Sequence, residues 1–425
     1  METYINPARG LWTSLCRRPV QSDSSLTERV RAIMEQVRSD GDDALKALSL
    51  KFDGVALSEI KVSEAEIEAA KAHVSDKVKA AVEQAYANVY AFHKAQMPRR
   101  IEVETAPGVT CIQKPVPIGS VGLYIPGGTA PLFSTVLMLA VPALIAGCPR
   151  RILCTPCRRD GTVSPEVLYT ASRCGITDIY KVGGAQAVAA MAYGTQTVPA
   201  VDKIFGPGNR YVTEAKKIVS GEGTAIDMPA GPSEVMVLAD ETAVPAYVAA
   251  DLLSQAEHGR DSQVILVCTD EAVARAALAE VGRQAALLPR EAMVEGALGY
   301  SRTVIFDSVE DILAFADAYA PEHLIISMKD ADAIAERVNC AGSVFIGNYS
   351  PESAGDYASG TNHTLPTSGW ARSCSGVNID SFIRKMTLQK LSREGLASLS
   401  DTIIAMAEAE GLQAHANAVK VRTDE

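Results

Sequence analysis

Apolar residues recur along this chain in two alternating patterns. Between residues 26 and 100 they fall three or four apart, as in ERVRAIMEQVRS and DKVKAAVEQAYANVYAFHKAQ, which predicts amphipathic helices. From about residue 118 the pattern changes to short β-rich runs, most ending in glycine and leading into an apolar helix. VGLYIPGG precedes FSTVLMLAVPALIAG, RRILCTP follows, DIYKVGG precedes AQAVAAMAYG, and DKIFGPG precedes NRYVTEAKKIV. After Ala230 the alternation resumes with SEVMVLAD, PAYVAADLLSQAEH, SQVILVC, EAVARAALAEVGRQAALL, RTVIF, DILAFADAYA, HLIIS and SVFIG. Strand, glycine turn and helix in repetition predict doubly wound parallel sheets. Two such α/β units are expected, the second packed against the helical amino-terminal segment. The stretch from about 380 onward is expected to be helical and polar, and no solenoid repeat or low-complexity segment interrupts the pattern.

Composition narrows the picture. A chain of 425 residues is longer than one core supports, so two or more domains are expected. With 47% apolar and 21% charged residues it reads as an ordinary globular protein. The net charge of −11, relieved only by short basic pairs such as Arg17-Arg18 and Arg99-Arg100, excludes nucleic acid and anionic membranes as natural partners. No continuous apolar segment of a secretory signal is visible near the amino terminus. The longest apolar run, Val136 to Gly147, contains Pro142 and is too short to cross a bilayer. Nine scattered cysteines, an odd number, read as reduced thiols, and a cytoplasmic location is expected. Cys154-Thr155-Pro156-Cys157 is the one CxxC; without a second pair, and followed by the turn RRDG, it reads as two thiols at a strand end.

In doubly wound sheets, ligands bind where glycine turns let backbone and helix amino termini approach them. Tyr124 with Gly127-Gly128, Gly183-Gly184 with Gln186, and Gly206-Pro207-Gly208-Asn209 all occupy such positions. None forms the GxGxxG fingerprint, so the residues themselves indicate a ligand with polar or anionic parts and no more. Only six histidines occur in the chain. Gln255 and His258, three apart at the end of an apolar helix, share a face; they could be two metal ligands, although spacing alone more often means an ordinary capped helix end. Glu322 and His323 sit together before the strand LIIS, a pairing that suits general base work. Asp356 lies between glycines in the polar loop SPESAGDYASGTNH, and Glu410 and His415 lie in the tail. His73 and His93 are expected at the surface, and His363 has no assigned role.

Taken together, VGLYIPGGTAPLFSTVLMLAVPALIAGC, VGGAQA, DKIFGPGN, AIDMPAGPSEV, DLLSQAEHG, PEHLII, AGSVFIG, SPESAGDYASGTNHTLPT and AEGLQAH resemble the histidinol dehydrogenase family, in the same order and from roughly residue 20 to the end. The resemblance implies two incomplete Rossmann-like parallel-sheet domains with small helical extensions at both ends. It divides the chain into an arm (1–20), a discontinuous main domain (21–122 with 233–377), an NAD-binding domain (123–232) and a helical tail (378–425) that crosses to a partner in a homodimer. The implied reaction is oxidation of L-histidinol to L-histidine through an enzyme-bound aldehyde, using NAD twice and one zinc ion per subunit. Carried over residue by residue, the zinc ligands are Gln255, His258, Asp356 and His415. NAD contacts are Tyr124, Gln186 and Asn209. Substrate contacts are Ser233, Gln255, His258, His323, Asp356, Glu410 and His415, with Glu322 and His323 as proton acceptors.

Three alternatives stay open at this point: a related dehydrogenase for another polar alcohol, a catalytically silent zinc-binding scaffold, and an aldehyde dehydrogenase using a cysteine. The pair Glu410 and His415 disfavours the first, the pair Glu322 and His323 the second, and the absence of any cysteine among the site positions the third.

Overall fold

The computed structural model describes residues 1–19, 25–127 and 132–423. Gly128, expected to extend the first glycine turn, lies outside them. Two parallel sheets organise the chain. The larger has six strands in the spatial order Glu2–Ile5, Arg302–Ile305, Gln263–Cys268, Glu234–Ala239, His323–Ser327, Ser343–Ile346. The smaller has five: Ile179–Tyr180, Arg150–Cys154, Ser120–Tyr124, Lys203–Phe205, Ala225–Ile226. Apart from the edge strand Glu2–Ile5, chain order in each runs outward from a central strand to one side and then to the other, which opens a crevice beside that strand. QVILVC and EVMVLA are buried at every position, as expected of strands covered on both faces by helices.

The helices between residues 26 and 95 pack on the five-stranded sheet, not on the six-stranded one. Val30, Met34, Val37, Leu45 and Leu48 share a core with Val188, Ala189 and Val212, while Ile67, Val82 and Val89 share one with Leu123, Leu139 and Phe205. These cores are shared with residues of 123–232, whereas the resemblance groups residues 21–122 with 233–377. Two of these helices start where a side chain satisfies their free amides: Ser63 forms a capping box with Glu66, and Ser75 accepts from the Val78 N–H. The helix Ser134–Ala146 is buried on almost every side, which accounts for its uninterrupted apolar sequence.

The arm belongs to the larger unit. Glu2–Ile5 forms the edge strand of that sheet, and Trp12 packs edge-on against Phe306 and Phe315. A second departure from the sequence reading lies beyond residue 380. Ile383–Leu391 is a strand, not a helix; it pairs antiparallel with Val109–Pro117, which pairs in turn with Ile101–Ala106. The helices Arg393–Ala409 and Gln413–Thr423 follow; they pack on each other, and the first also packs on that strand. No helix among the described residues is long and apolar enough to cross a membrane.

Candidate active site

The two sets of expected functional residues fall in two places. Tyr124, Gln186 and Asn209 line a cavity of about 1140 Å³ at the carboxyl ends of the five-stranded sheet. Tyr124 ends its strand buried, its hydroxyl accepting from the Gly184 N–H at 3.1 Å, and burial pushes its pKa up to about 12. Gln186 lies in the first turn of the helix Gly184–Tyr193. Asn209 caps the helix Arg210–Gly221, its Oδ1 accepting from Tyr211 N at 2.9 Å and Val212 N at 3.2 Å, so what it can offer a ligand is its amide NH2. Gly206 is required here: its φ is +126°, and a Cβ would run into the Tyr124 carbonyl oxygen. Its N–H and carbonyl are both tied down, to Asp227 at 2.8 Å and Lys216 at 2.9 Å, which form a buried ion pair beneath the loop.

The second place lies at the amino end of the six-stranded sheet, where Gln255, His258, Glu322, His323 and Asp356 come together. None of these lines the large cavity. Gln255 and His258 stand at the carboxyl end of the helix Pro245–Ala256, and His323 opens its strand. The Gln255 Nε2 donates to Glu234 O at 3.2 Å; reversing the amide would set two carbonyl oxygens against each other, so Oε1 is the atom turned to the cleft. His323 Nδ1 lies 3.2 Å from Glu234 O and 2.9 Å from Gln255 Nε2, while its Nε2 is 3.6 Å from Asp356 Oδ1. With the Nδ1 proton given to Glu234 O, Nε2 is an open lone pair; with Nδ1 accepting from Gln255, the proton sits on Nε2. Ser233 Oγ lies 3.4 Å from His258 Nδ1.

Two further residues complete the cluster. One ligand atom each of His258, Glu352 and Asp356 lie within 4.8 Å of one another. Glu352, 1% exposed, is not marked by any sequence motif, although it precedes Asp356 by one helical turn and so shares its face. His363 also enters: its charge is felt at Asp356 and its buried Nε2 has no partner among the described residues.

The electrostatics are dominated by acids crowded out of water. Burial pushes the carboxyls of Glu322 and Glu352 up. Burial works against the His323 imidazolium, but Glu322, Glu352 and Asp356 outweigh it and hold the ring more basic than usual. Burial would also raise Asp356, yet the His323 ring 3.6 Å away and the charges of His363, His323 and His258 keep it below the usual carboxylate range. His258, at the mouth of the cleft, is lowered by burial against the protein side.

Gln255 Oε1, His323 Nε2 and Asp356 Oδ1 are buried without a hydrogen-bond partner among the described residues. Orphaned acceptors converging with an imidazole and two carboxyls are costly unless something electropositive meets them. An amide oxygen, an imidazole and carboxylates form a donor set that fits a borderline divalent cation, and the residues present therefore fit a zinc ion.

Of the expected set, Glu410 and His415 are not brought here within one chain. Both are exposed, at the junction of the two tail helices. His93, expected at the surface, is buried at 0% exposure in the helix Asp76–Ala95, its Nδ1 2.8 Å from Val89 O.

A family model described as histidinol dehydrogenase matches residues 16–423. The chain belongs to the histidinol dehydrogenase family. It is 52% identical over 425 residues to histidinol dehydrogenase from Bacteroides fragilis, covering 100% of this chain and 99% of that one. The Haemophilus influenzae histidinol dehydrogenase is 53% identical over 406 residues, covering 95% of this chain and 94% of the relative. The crystal structure of histidinol dehydrogenase from Elizabethkingia anophelis superposes with a TM-score of 0.97 at 51% identity, covering 100% of this chain and 98% of that chain. Family membership makes the protein an oxidoreductase of histidine biosynthesis whose substrate is histidinol.

Proposed function

We propose that the protein oxidises L-histidinol to L-histidine through a retained L-histidinal, with NAD as acceptor in both steps and one zinc ion per subunit. The observation that carries this reading is the convergence of orphaned acceptors on Gln255, His323 and Asp356 beside His258. Gln255, His258 and Asp356 would hold the zinc, with the partner subunit's His415 as the fourth ligand. The metal, when bound, supplies a fixed positive charge that orients a polar substrate.

The chain's own residues do the rest. Tyr124, Gln186 and Asn209 hold NAD at the carboxyl ends of the five-stranded sheet. Ser233, Gln255, His258, His323 and Asp356 bind the substrate, joined by the partner subunit's Glu410 and the partner's His415. His323, with its Nδ1 proton on Glu234 O, takes the alcohol proton at Nε2 in the first oxidation. Glu322 then takes a proton from water adding to the aldehyde; burial raises its affinity for that proton toward the working range. Retaining the aldehyde in the same cleft converts the second oxidation into an intramolecular step.

The homodimer is supported by an uncovered apolar surface. Ile101, Val103, Met386, Leu388, Met406 and Val421 are all exposed on the three-stranded sheet and the two tail helices. Apolar exposure of this extent on one element set marks an interaction surface. The same tail carries Glu410 and His415, to which no role within their own chain is assigned.

NADH formation followed by absorbance, with histidinol set against other polar alcohols, tests the activity; selective turnover of histidinol and of histidinal is expected. The shared site has its own test. Mixing inactive His258→Ala and His415→Ala chains under subunit exchange gives hybrids with one intact site and one doubly damaged site. Random pairing should restore roughly a quarter of parental activity. No recovery after exchange is verified by mass would count against the crossing tail.

A further inference from the structure

Glu234 opens the central strand of the six-stranded sheet, with its side chain 2% exposed. A carboxylate in that place must be paired. Arg18, 216 residues earlier on the arm, meets it as a fork: Nε donates to Oε1 and Nη2 to Oε2, each at 2.9 Å. The Ser368 N–H adds a third bond to Oε1 at 2.8 Å. Arg18 is itself immobilised, its guanidinium 3.6 Å from the centre of the Tyr319 ring and donating to Tyr319 O at 2.7 Å. Buried ion pairs of this kind are rarely more stabilising than apolar residues of the same volume, so their value lies in geometry.

The geometry served is that of the active site. The main chain of Glu234 touches three of its residues. Its N–H donates to Glu322 Oε2 at 2.8 Å, and its carbonyl oxygen lies 3.2 Å from Gln255 Nε2 and 3.2 Å from His323 Nδ1. The main chain of one residue thus aims the Glu322 carboxylate, turns the Gln255 amide oxygen to the cleft, and offers an acceptor for a proton on His323 Nδ1. Residue 234 is the end of its strand, where the sheet's own hydrogen bonds hold the backbone least. The clamp on its side chain supplies the missing restraint.

We propose that Arg18 and Glu234 form a positioning pair, through which the amino-terminal arm sets the working geometry of Glu322, His323 and Gln255. This rests on the roles given above to Glu322 and His323. Neither Arg18 nor the Glu234 carboxylate contacts the reacting groups; both act through the Glu234 main chain.

The test uses the full-length, metal-loaded enzyme carrying Arg18→Met, Arg18→Lys, Glu234→Gln or the double change R18M/E234Q, with metal content measured alongside kinetics. Arg18→Met should lower kcat with histidinol by roughly 10- to 100-fold, the range of outer-shell changes, while leaving the KM for NAD within about twofold. Arg18→Lys should recover part of the loss, because charge returns without the fork. R18M/E234Q should be no worse than Arg18→Met, since both changes break one link. A kcat for Arg18→Met within about twofold of the parent overturns the proposal. So does a loss in which kcat and metal content fall while the KM for NAD rises, and lysine restores nothing. Should Arg18→Met fail to fold, Glu234→Gln alone decides by the same criteria. Glu322→Gln and His323→Ala are run in parallel: if they keep parental turnover, the site reading fails; if they lose it while the Arg18 and Glu234 variants do not, only the positioning pair fails.

Discussion

The five-stranded sheet presents its site at the carboxyl ends of its strands, whereas the six-stranded sheet presents its site at the amino ends. At the first, the cavity wall includes the opening residues of two helices, Gly184 and Gln186 in one and Asn209 and Tyr211 at the other. The positive ends of the two helix dipoles favour anionic or polar ligand parts there. At the second, Glu234 and His323 begin their strands, and Gln255 and His258 end the helix Pro245–Ala256, with Glu352 and Asp356 opposite. A helix carboxyl terminus among carboxylates favours a cation. One architecture thus makes two cradles of opposite sign, according to which end of the strands carries the side chains.

If that division holds, damage at one cradle should leave the other's ligand alone. The largest effect is expected from His258→Ala, which removes an imidazole from the cation cradle. Metal content by elemental analysis should fall to a small fraction, and activity should drop by more than the roughly 10- to 100-fold typical of an outer-shell change. NAD affinity, measured by fluorescence titration, should stay near the parental value. Stoichiometric metal in this variant would sink the assignment.

Glu322→Gln comes next. It keeps the shape and the acceptance of the Glu234 N–H but removes basicity, so aldehyde oxidation should slow by about 100-fold or more and alcohol oxidation by less. Equal losses with histidinol and histidinal would remove Glu322 from water activation.

At the anion cradle the expected change is smaller. Gln186→Ala should raise the KM for NAD by about 2- to 10-fold, the size of one hydrogen bond, with metal content unchanged. A variant that lost metal while keeping its cofactor affinity would dissolve the distinction between the two cradles.

Much of this arrangement is legible in the sequence. The alternation of buried apolar runs with glycine turns locates both parallel sheets, because strands covered on two faces need continuous apolar sequence. Gln255, His258, Glu322, His323 and Asp356 are readable as candidates from their spacing and neighbours, and the fold brings them together. The strand Ile383–Leu391 is not legible: all but its first residue are exposed, so burial imposes no alternation on it, and its partner lies about 270 residues earlier. The burial of His93 could have been found, since Val82, Ala85, Val89 and His93 fall on one buried helical face. Glu352 could have been found by its spacing from Asp356. The docking of the early helices on the smaller sheet depends on shape complementarity between cores, which periodicity does not encode.

The smallest effect is expected at the CxxC. Cys154 ends its strand at 0% exposure and Cys157 lines the large cavity, so position alone would allow a thiol role in the anion cradle. Burial raises both thiols above their ordinary pKa, and at Cys157 the nearby Asp53 carboxyl raises it further. A thiol held protonated is a poor nucleophile and a poor metal ligand. Cys154→Ser and Cys157→Ser together should therefore leave turnover within a few-fold of the parent, with stability lowered by about 1–3 kcal/mol if the hydroxyl introduced at the buried position 154 finds no partner. Turnover that collapses while the melting transition stays put would give these thiols a function in the cavity, and the anion cradle would then carry chemistry of its own.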